Sequence, residues 1–250
     1  MKKWILAVAS FAIIYTSQAQ GLKGFMKKVT GDSSSKPSLG NILGGGDNQG
    51  GLSSSTIANG LKEALEVGTQ KGAEKLSAAD GFFKDAAIKI LMPEEAQKVE
   101  QKLRSLGMGS QVDNAILSMN RAAEDASKSA APIFVNAIKQ MSIQDAAGIL
   151  KGGDFAATDY LKSKTTANLT EAFRPAIETS LAKVDATKYW NTVFSTYNKF
   201  SLQKVNTDLV AYVTEKALAG LFHEVALQEQ KIRKDPAAQT TALLKQVFGK

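Results

Sequence analysis

From Met119 to Met141 the chain reads MNRAAEDASKSAAPIFVNAIKQM, a run at helical spacing with charges on one arm, apolar residues on the other and a proline between them. Met119, Ala122, Ala123 and Ala126 recur at intervals of three and four, which puts them on one face of a helix. Phe134, Ala137, Ile138 and Met141 do the same on the second arm. Pro132 has no N–H to give and its ring meets the carbonyl four residues back, so the spacing predicts a kink or break near Ala131. Asn120 and Glu124 stand four apart, as do Arg121 and Asp125, and are expected to pair across one turn. Such a stretch belongs at the centre of a helical domain.

The same periodicity extends through most of the chain. A helix is predicted after Ser53-Ser54-Ser55-Thr56, with Ile57, Leu61, Leu65 and Leu76 on one face and Gly60, Ala64, Gly68 and Gly72 forming a ridge of small residues. Glycine costs roughly 1 kcal/mol against alanine inside a helix, so the ridge implies close approach of another helix or a ligand. Asp80-Gly81 reads as a turn, and Ala87 to Met92 as a short extended run ending at Pro93. Pro93 with Glu94 and Glu95 opens a helix with Val99, Leu103 and Leu106 inward and Gly107 as its stop. Beyond the central stretch, Ser142 caps a short helix closed by Gly152-Gly153, Asp154 starts another, and a further one from about Thr166 meets a second interruption at Pro175. Asp185 caps a helix carrying the stripe Trp190, Val193, Phe194 and Tyr197. Asn206 or Thr207 opens the last long helix, with Leu209, Val213, Ala217, Gly220, Leu221, Val225 and Ile232 inward, and a terminal helix holds Leu243, Leu244, Val247 and Phe248. The expectation is an all-α fold, a single multi-helix bundle of about eight or nine helices with Pro-kinked members, preceded by a disordered N-terminal segment.

Met1 to Ala19 has the form of a secretory leader: Lys2 and Lys3, an apolar run from Trp4 to Tyr15, and Ser17-Gln18-Ala19 as a small-x-small cleavage site. The apolar run is too short for a span of roughly 20 residues, so the mature chain is expected to be periplasmic without a transmembrane segment. Residues 20–55 are rich in Gly, Ser and Asn and read as a flexible tether, leaving 56–250 as the helical domain. The tether's glycines lack the Gly-Lys-Ser/Thr ending of a phosphate-binding loop.

The formal charge of +7 becomes +5 without Lys2 and Lys3, and the positives are interleaved with 24 acidic residues, which argues against nucleic acid as a partner. Of 31 basic residues only Arg104, Arg121, Arg174 and Arg233 are arginine. Lysine supplies the surface charge, so each arginine is expected where a planar five-donor fork serves a carboxylate, carbonyls or a ligand. Cysteine is absent and His223 is the only histidine. Counting thereby removes disulfides, thiolate nucleophiles and the paired-histidine zinc helix, since His223-Glu224 is followed by Val225-Ala226-Leu227. No catalytic residue, metal site or cofactor is predicted, and His223 is expected to be structural or superficial. Carboxylate-only chemistry through Glu124, Asp145, Asp154 and Asp159 is the remaining enzymatic route.

Met119-Asn120-Arg121-Ala122-Ala123-Glu124, Met141-Ser142-Ile143 with Asp145, Ile149-Leu150 with Gly152, Ala157-Thr158-Asp159-Tyr160, Ala217-Leu218 with Gly220-Leu221-Phe222, Ile232-Arg233 with Asp235-Pro236-Ala237, and Leu243-Leu244-Lys245 with Val247-Phe248-Gly249 resemble a bacterial family catalogued as domain of unknown function 4197. The similarity runs from about Leu52 to Gly249. The resemblance implies an exported, mostly helical protein of Gram-negative bacteria and carries no activity with it.

Two functional readings follow. In one the chain is a periplasmic binding module for an apolar or amphipathic ligand, with Asn120, Arg121, Glu124, Tyr160 and Arg174 as candidate ligand-binding residues. In the other it is an interaction protein without a small-molecule ligand, binding another envelope protein or an anionic surface through lysines and an exposed aromatic face. A closed apolar cavity above about 300 Å³ favours the first, and a flat apolar patch beyond a few hundred Å² the second.

Overall fold

The computed structural model describes residues 53–183, 186–200, 204, 208–235 and 245. The expected leader, the tether up to residue 52 and the expected terminal helix around Leu243 lie outside them. Among the described residues there are eight α-helices, one 3-10 turn at Glu94–Ala96 and no strand: α1 Ser54–Ser77, α2 Gln97–Ser105, α3 Gly109–Ser127, α4 Ala130–Gln140, α5 Ile143–Lys151, α6 Ala156–Ala182, α7 Ala186–Phe200 and α8 Leu209–Lys234. The class is all-α.

Helix α6 is the longest, and its continuity corrects the expectation of two helices with an interruption at Pro175. Ala157, Leu161, Thr165, Leu169, Phe173, Ile177 and Leu181 are buried at strict intervals of four. Against 3.6 residues per turn such a stripe drifts about 40° per step, so over its length it winds about 240° round the helix. It therefore meets α8, α3 and α4 along its length rather than one partner. Thr165 and Thr166 return hydroxyl hydrogen bonds to the carbonyls of Leu161 and Lys162, and Thr179 returns one to Pro175. Packing on three sides holds the helix across the proline, where propensity alone predicts a break.

The central stretch breaks rather than bends. α3 ends at Ser127, Lys128 and Ser129 turn the chain, and Pro132 falls in the first turn of α4, where its missing N–H has no carbonyl to serve. The break thus lies two residues before Ala131. Phe134, on α4, sits fully buried with its ring edge-on to Phe222 of α8, centroids 6.0 Å apart. Burying a side chain of this size contributes roughly 1.5–3 kcal/mol.

The glycine ridge faces a helix. A Cβ on Gly68 would lie 3.3 Å from Ile232 Cδ1, and one on Gly72 3.3 Å from Glu224 Cγ, so α1 and α8 pack antiparallel and close enough that a larger residue would have to push these side chains aside. Ser53 caps α1, its hydroxyl accepting from Thr56 N at 3.1 Å. Ser142 and Asp145 form a reciprocal capping box on α5. Asp208 opens α8, accepting from Ala211 N at 2.9 Å, in place of the expected Asn206 or Thr207. Gly107 takes a left-handed φ of 80° and ends α2, but Leu106 before it is 62% exposed rather than inward, because the chain has already left the helix there. Trp190 and Phe194 of α7 are buried, 4.3 Å apart.

Candidate functional site

Between α1 and α2, ahead of the 3-10 turn at Glu94–Ala96, the chain crosses α3 and α8 without regular structure, held by polar side chains from both. Asp80 adopts a φ of 70°, uncommon for any residue but glycine, and at Gly81 a Cβ would run into the Lys75 and Leu76 carbonyls. Glu124, buried in α3, fixes this turn. Its Oε1 accepts from the backbone N–H groups of Phe82 and Phe83 at 3.1 and 3.2 Å. Arg121 then donates to Glu124 Oε2 at 2.6 Å and to Asp80 Oδ1 at 2.7 Å. The Lys84 ammonium and the Arg121 guanidinium together hold the Asp80 carboxyl below its ordinary range.

One turn earlier, fully buried Asn120 reaches the same segment. Its Oδ1 accepts from Ile90 N at 2.9 Å, while its Nδ2 donates to Ile90 O at 2.8 Å and to Ile116 O at 2.7 Å. One amide can take both backbone groups of one residue only when they point to the same side, which is the geometry of a strand residue. Ile90 is therefore extended, with a side chain standing in for a partner strand. The within-helix pairs predicted for Asn120 with Glu124 and Arg121 with Asp125 do not form. Buried backbone groups thirty to forty residues away take Asn120 and Glu124, and Asp125 instead accepts from Lys128 at 2.7 Å and Ser180 at 2.9 Å.

On its other side the segment faces α8. The Tyr212 hydroxyl donates to Leu91 O at 2.8 Å, and its ring stacks on Trp190 at 6.4 Å. Burial, with Glu95 and Glu215 nearby, pushes the Tyr212 phenol up to about 12, so it stays a donor at any physiological pH. Farther along α8 a Cβ on Gly220 would come within 2.5 Å of the Phe82 ring, so only glycine lets the segment approach there. Between residues 87–97 and this face of α8 lies a half-open groove of about 830 Å³. Leu91, Ala219 and Tyr212 give it apolar surface; Lys89, Lys204, Lys216 and His223 oppose Glu94, Glu95 and Glu215. This is neither the closed apolar cavity nor the flat patch considered above.

Of the candidate residues read from the sequence, Asn120, Arg121 and Glu124 come together on α3, Asn120 behind the groove wall at Ile90 and Arg121 with Glu124 at the turn of residues 80–83 that leads into it. Tyr160 lies elsewhere on α6, beside Asp145 and with Lys164 over its ring at 5.7 Å. Arg174 is fourteen residues farther, about 21 Å along the helix, and pairs with Asp208 at 3.0 Å. Arg104 pairs with Glu100 and Asp113, and Arg233 with Glu229, so all four arginines serve carboxylates as their scarcity predicts. The sequence pointed to neither Tyr212 nor Ala219. Their one signal is a tyrosine flanked by the inward Leu209 and Val213, which marks a boundary between core and surface.

A second polar clip resembles the first. Glu229 of α8 accepts from the backbone of Ala157 at 3.0 Å and of Thr158 at 2.8 Å, closing the start of α6. Arg233 donates to Glu229 at 2.8 Å and to Ile149 O, at the end of α5, at 3.0 Å. Glu224, also buried, accepts from Lys75 at 2.7 Å and Gln228 at 2.8 Å. Among the described residues no group of three or more metal-binding side chains converges, and no helix is long and apolar enough to cross a membrane.

A family model described as "Protein of unknown function (DUF4197)" matches residues 51–249. The chain belongs to this family. The match takes in every described helix, and so both clips and the groove of this DUF4197 chain lie within the family domain. No curated protein and no solved structure matches the chain.

Proposed function

We propose that the chain acts as an exported, periplasmic binding module whose site is the groove between residues 87–97 and α8, taking an amphipathic ligand. The observation that carries this is a recess of about 830 Å³ whose wall is pinned from behind by Asn120 at Ile90 and from the side by Tyr212 at Leu91, while Glu124 holds the turn that leads into it. A wall held from two sides is preorganised, and preorganisation lowers the ordering cost of binding. The mixed lining suits a ligand with both apolar and charged groups rather than a purely apolar one. In this reading Asn120, Arg121 and Glu124 position the wall and do not touch the ligand. Of the candidate carboxylates, Glu124 is taken up by backbone N–H groups and Asp145 by the capping box of α5.

The test is native mass spectrometry of the whole chain purified from the cell envelope, beside Ala219→Trp, which fills the groove from its α8 side. A retained small molecule present in the wild type and lost in the variant, with unchanged circular dichroism, supports the reading. Retention by both sinks it. N-terminal sequencing of the same material is expected to begin at Gln20.

A further inference from the structure

We infer that the groove's ligand is an extended peptide segment running in the same direction as residues 89–93, and reading acidic, apolar, basic from its N-terminus. This rests on the groove being the binding site and adds the ligand's class and polarity. The first observation is a backbone edge. Ile90 turns its N–H and C=O inward to Asn120, and because each trans peptide plane points its C=O and N–H opposite ways, Lys89 C=O and Leu91 N–H turn away from Asn120, while Lys89 N–H donates to Asp85 O at 2.8 Å. On that side Tyr212 donates to Leu91 O, which places the edge against the groove. Lys89 O and Leu91 N make no hydrogen bond among the described residues. A carbonyl at one position and an N–H two residues on are the two groups that a single residue of a parallel strand engages, by donating to the first and accepting from the second. An antiparallel partner would instead compete with Tyr212 for Leu91 O.

The second observation is charge. Contacts of Gly220 with Ile88 and of Tyr212 with Leu91 make α8 run opposite to the segment, so Lys89 and His223 share one end of the groove. No carboxylate lines that end. The other end has Glu94, Glu95 and Glu215, three carboxylates against the two ammoniums of Lys204 and Lys216. A parallel peptide enters at the Lys89 end, so its N-terminal side meets positive charge and its C-terminal side an acidic excess. Leu91, 54% exposed, and Ala219 offer apolar surface between them. From Tyr212 to His223 the α8 face runs about 16 Å at 1.5 Å per residue, which spans about five extended residues.

The experiment uses the full chain carrying Trp4→Phe, so that Trp190, stacked on Tyr212, is the only tryptophan and its fluorescence reports the groove. The probe is a blocked pentapeptide with glutamate first, leucine in the centre, lysine last and threonine between. Saturable binding is expected, with affinity several-fold above that of the reversed order. Methylating the central leucine nitrogen is expected to weaken binding about tenfold, and methylating either threonine nitrogen to leave it unchanged. Equal affinity for the two orders overturns the polarity, and indifference to the central N-methyl group overturns the strand pairing. No peptide binding, while Ala219→Trp still sheds a natively retained molecule, overturns the peptide and leaves the groove as the site. Undiminished peptide binding by Ala219→Trp removes both.

Discussion

The Glu124 and Glu229 clips are built from the same parts and do different work. Each takes a buried glutamate from the interior of a helix, sets an arginine within one turn of it, and spends the carboxylate on two consecutive backbone N–H groups of a distant segment. At Glu229 those N–H groups begin α6, the arginine is 15% exposed, and it also closes the end of α5. At Glu124 they belong to an irregular turn, the arginine is 41% exposed, and its second partner is Asp80 at the surface. One clip ties helix ends in the interior, where water cannot replace a lost partner. The other holds the turn that leads into the groove wall, at the edge of the core, where water partly can. A buried carboxylate with an arginine beside it is therefore no mark of chemistry in this molecule, since the drier of the two is the more clearly architectural.

That contrast sets the order of expected effects. Arg233→Ala strands Glu229 in the interior and is expected to lower stability by about 3–5 kcal/mol in urea denaturation. Gly68→Leu forces α1 off Ile232, the residue before Arg233, and is expected to cost roughly 1–3 kcal/mol. Its cost should combine non-additively with Arg233→Ala and additively with Arg121→Ala, because Ile232, which Gly68 faces, is the chain neighbour of Arg233, while Arg121 lies on α3. Arg121→Ala is expected to cost about 1–2 kcal/mol, less than its inner counterpart because the guanidinium already meets water. Equal losses for the two arginines would erase the distinction. The smallest effect is acidic. A depressed carboxyl stabilises the fold above its unfolded value and loses that contribution as the pH falls through its lower folded value. The difference in urea midpoint between wild type and Asp80→Asn should thus shrink as the pH drops below 3.8, the ordinary aspartate value.

Features set by local spacing were legible in the sequence: the inward faces of α1 and α8, the Ser142 box, the glycine ridge and the employment of four scarce arginines. Features set by partners far along the chain were not. Nothing near Asn120 announces Ile90, thirty residues earlier, so spacing of four offered Glu124 instead; at Glu229 the spacing of four does give its partner Arg233, but nothing near it announces the start of α6. Pro175 misled for the same reason, since a rule about isolated helices does not see three packed faces. The groove escaped because its two walls are separated by more than a hundred residues, and only their junction at Tyr212 and Gly220 makes them one surface.

The Glu229 clip also bears on the order in which the chain assembles. Synthesis reaches α6 well before α8, and until Glu229 emerges the first N–H groups of the longest helix have only water as partner. The same late helix supplies one of the packing faces of α1, the first to appear, which also packs on α3, α4 and α5. Closure of the α1–α8 seam and of the start of α6 therefore waits for nearly the whole chain. If the chain is exported as proposed, that delay would leave the polypeptide threadable during its passage.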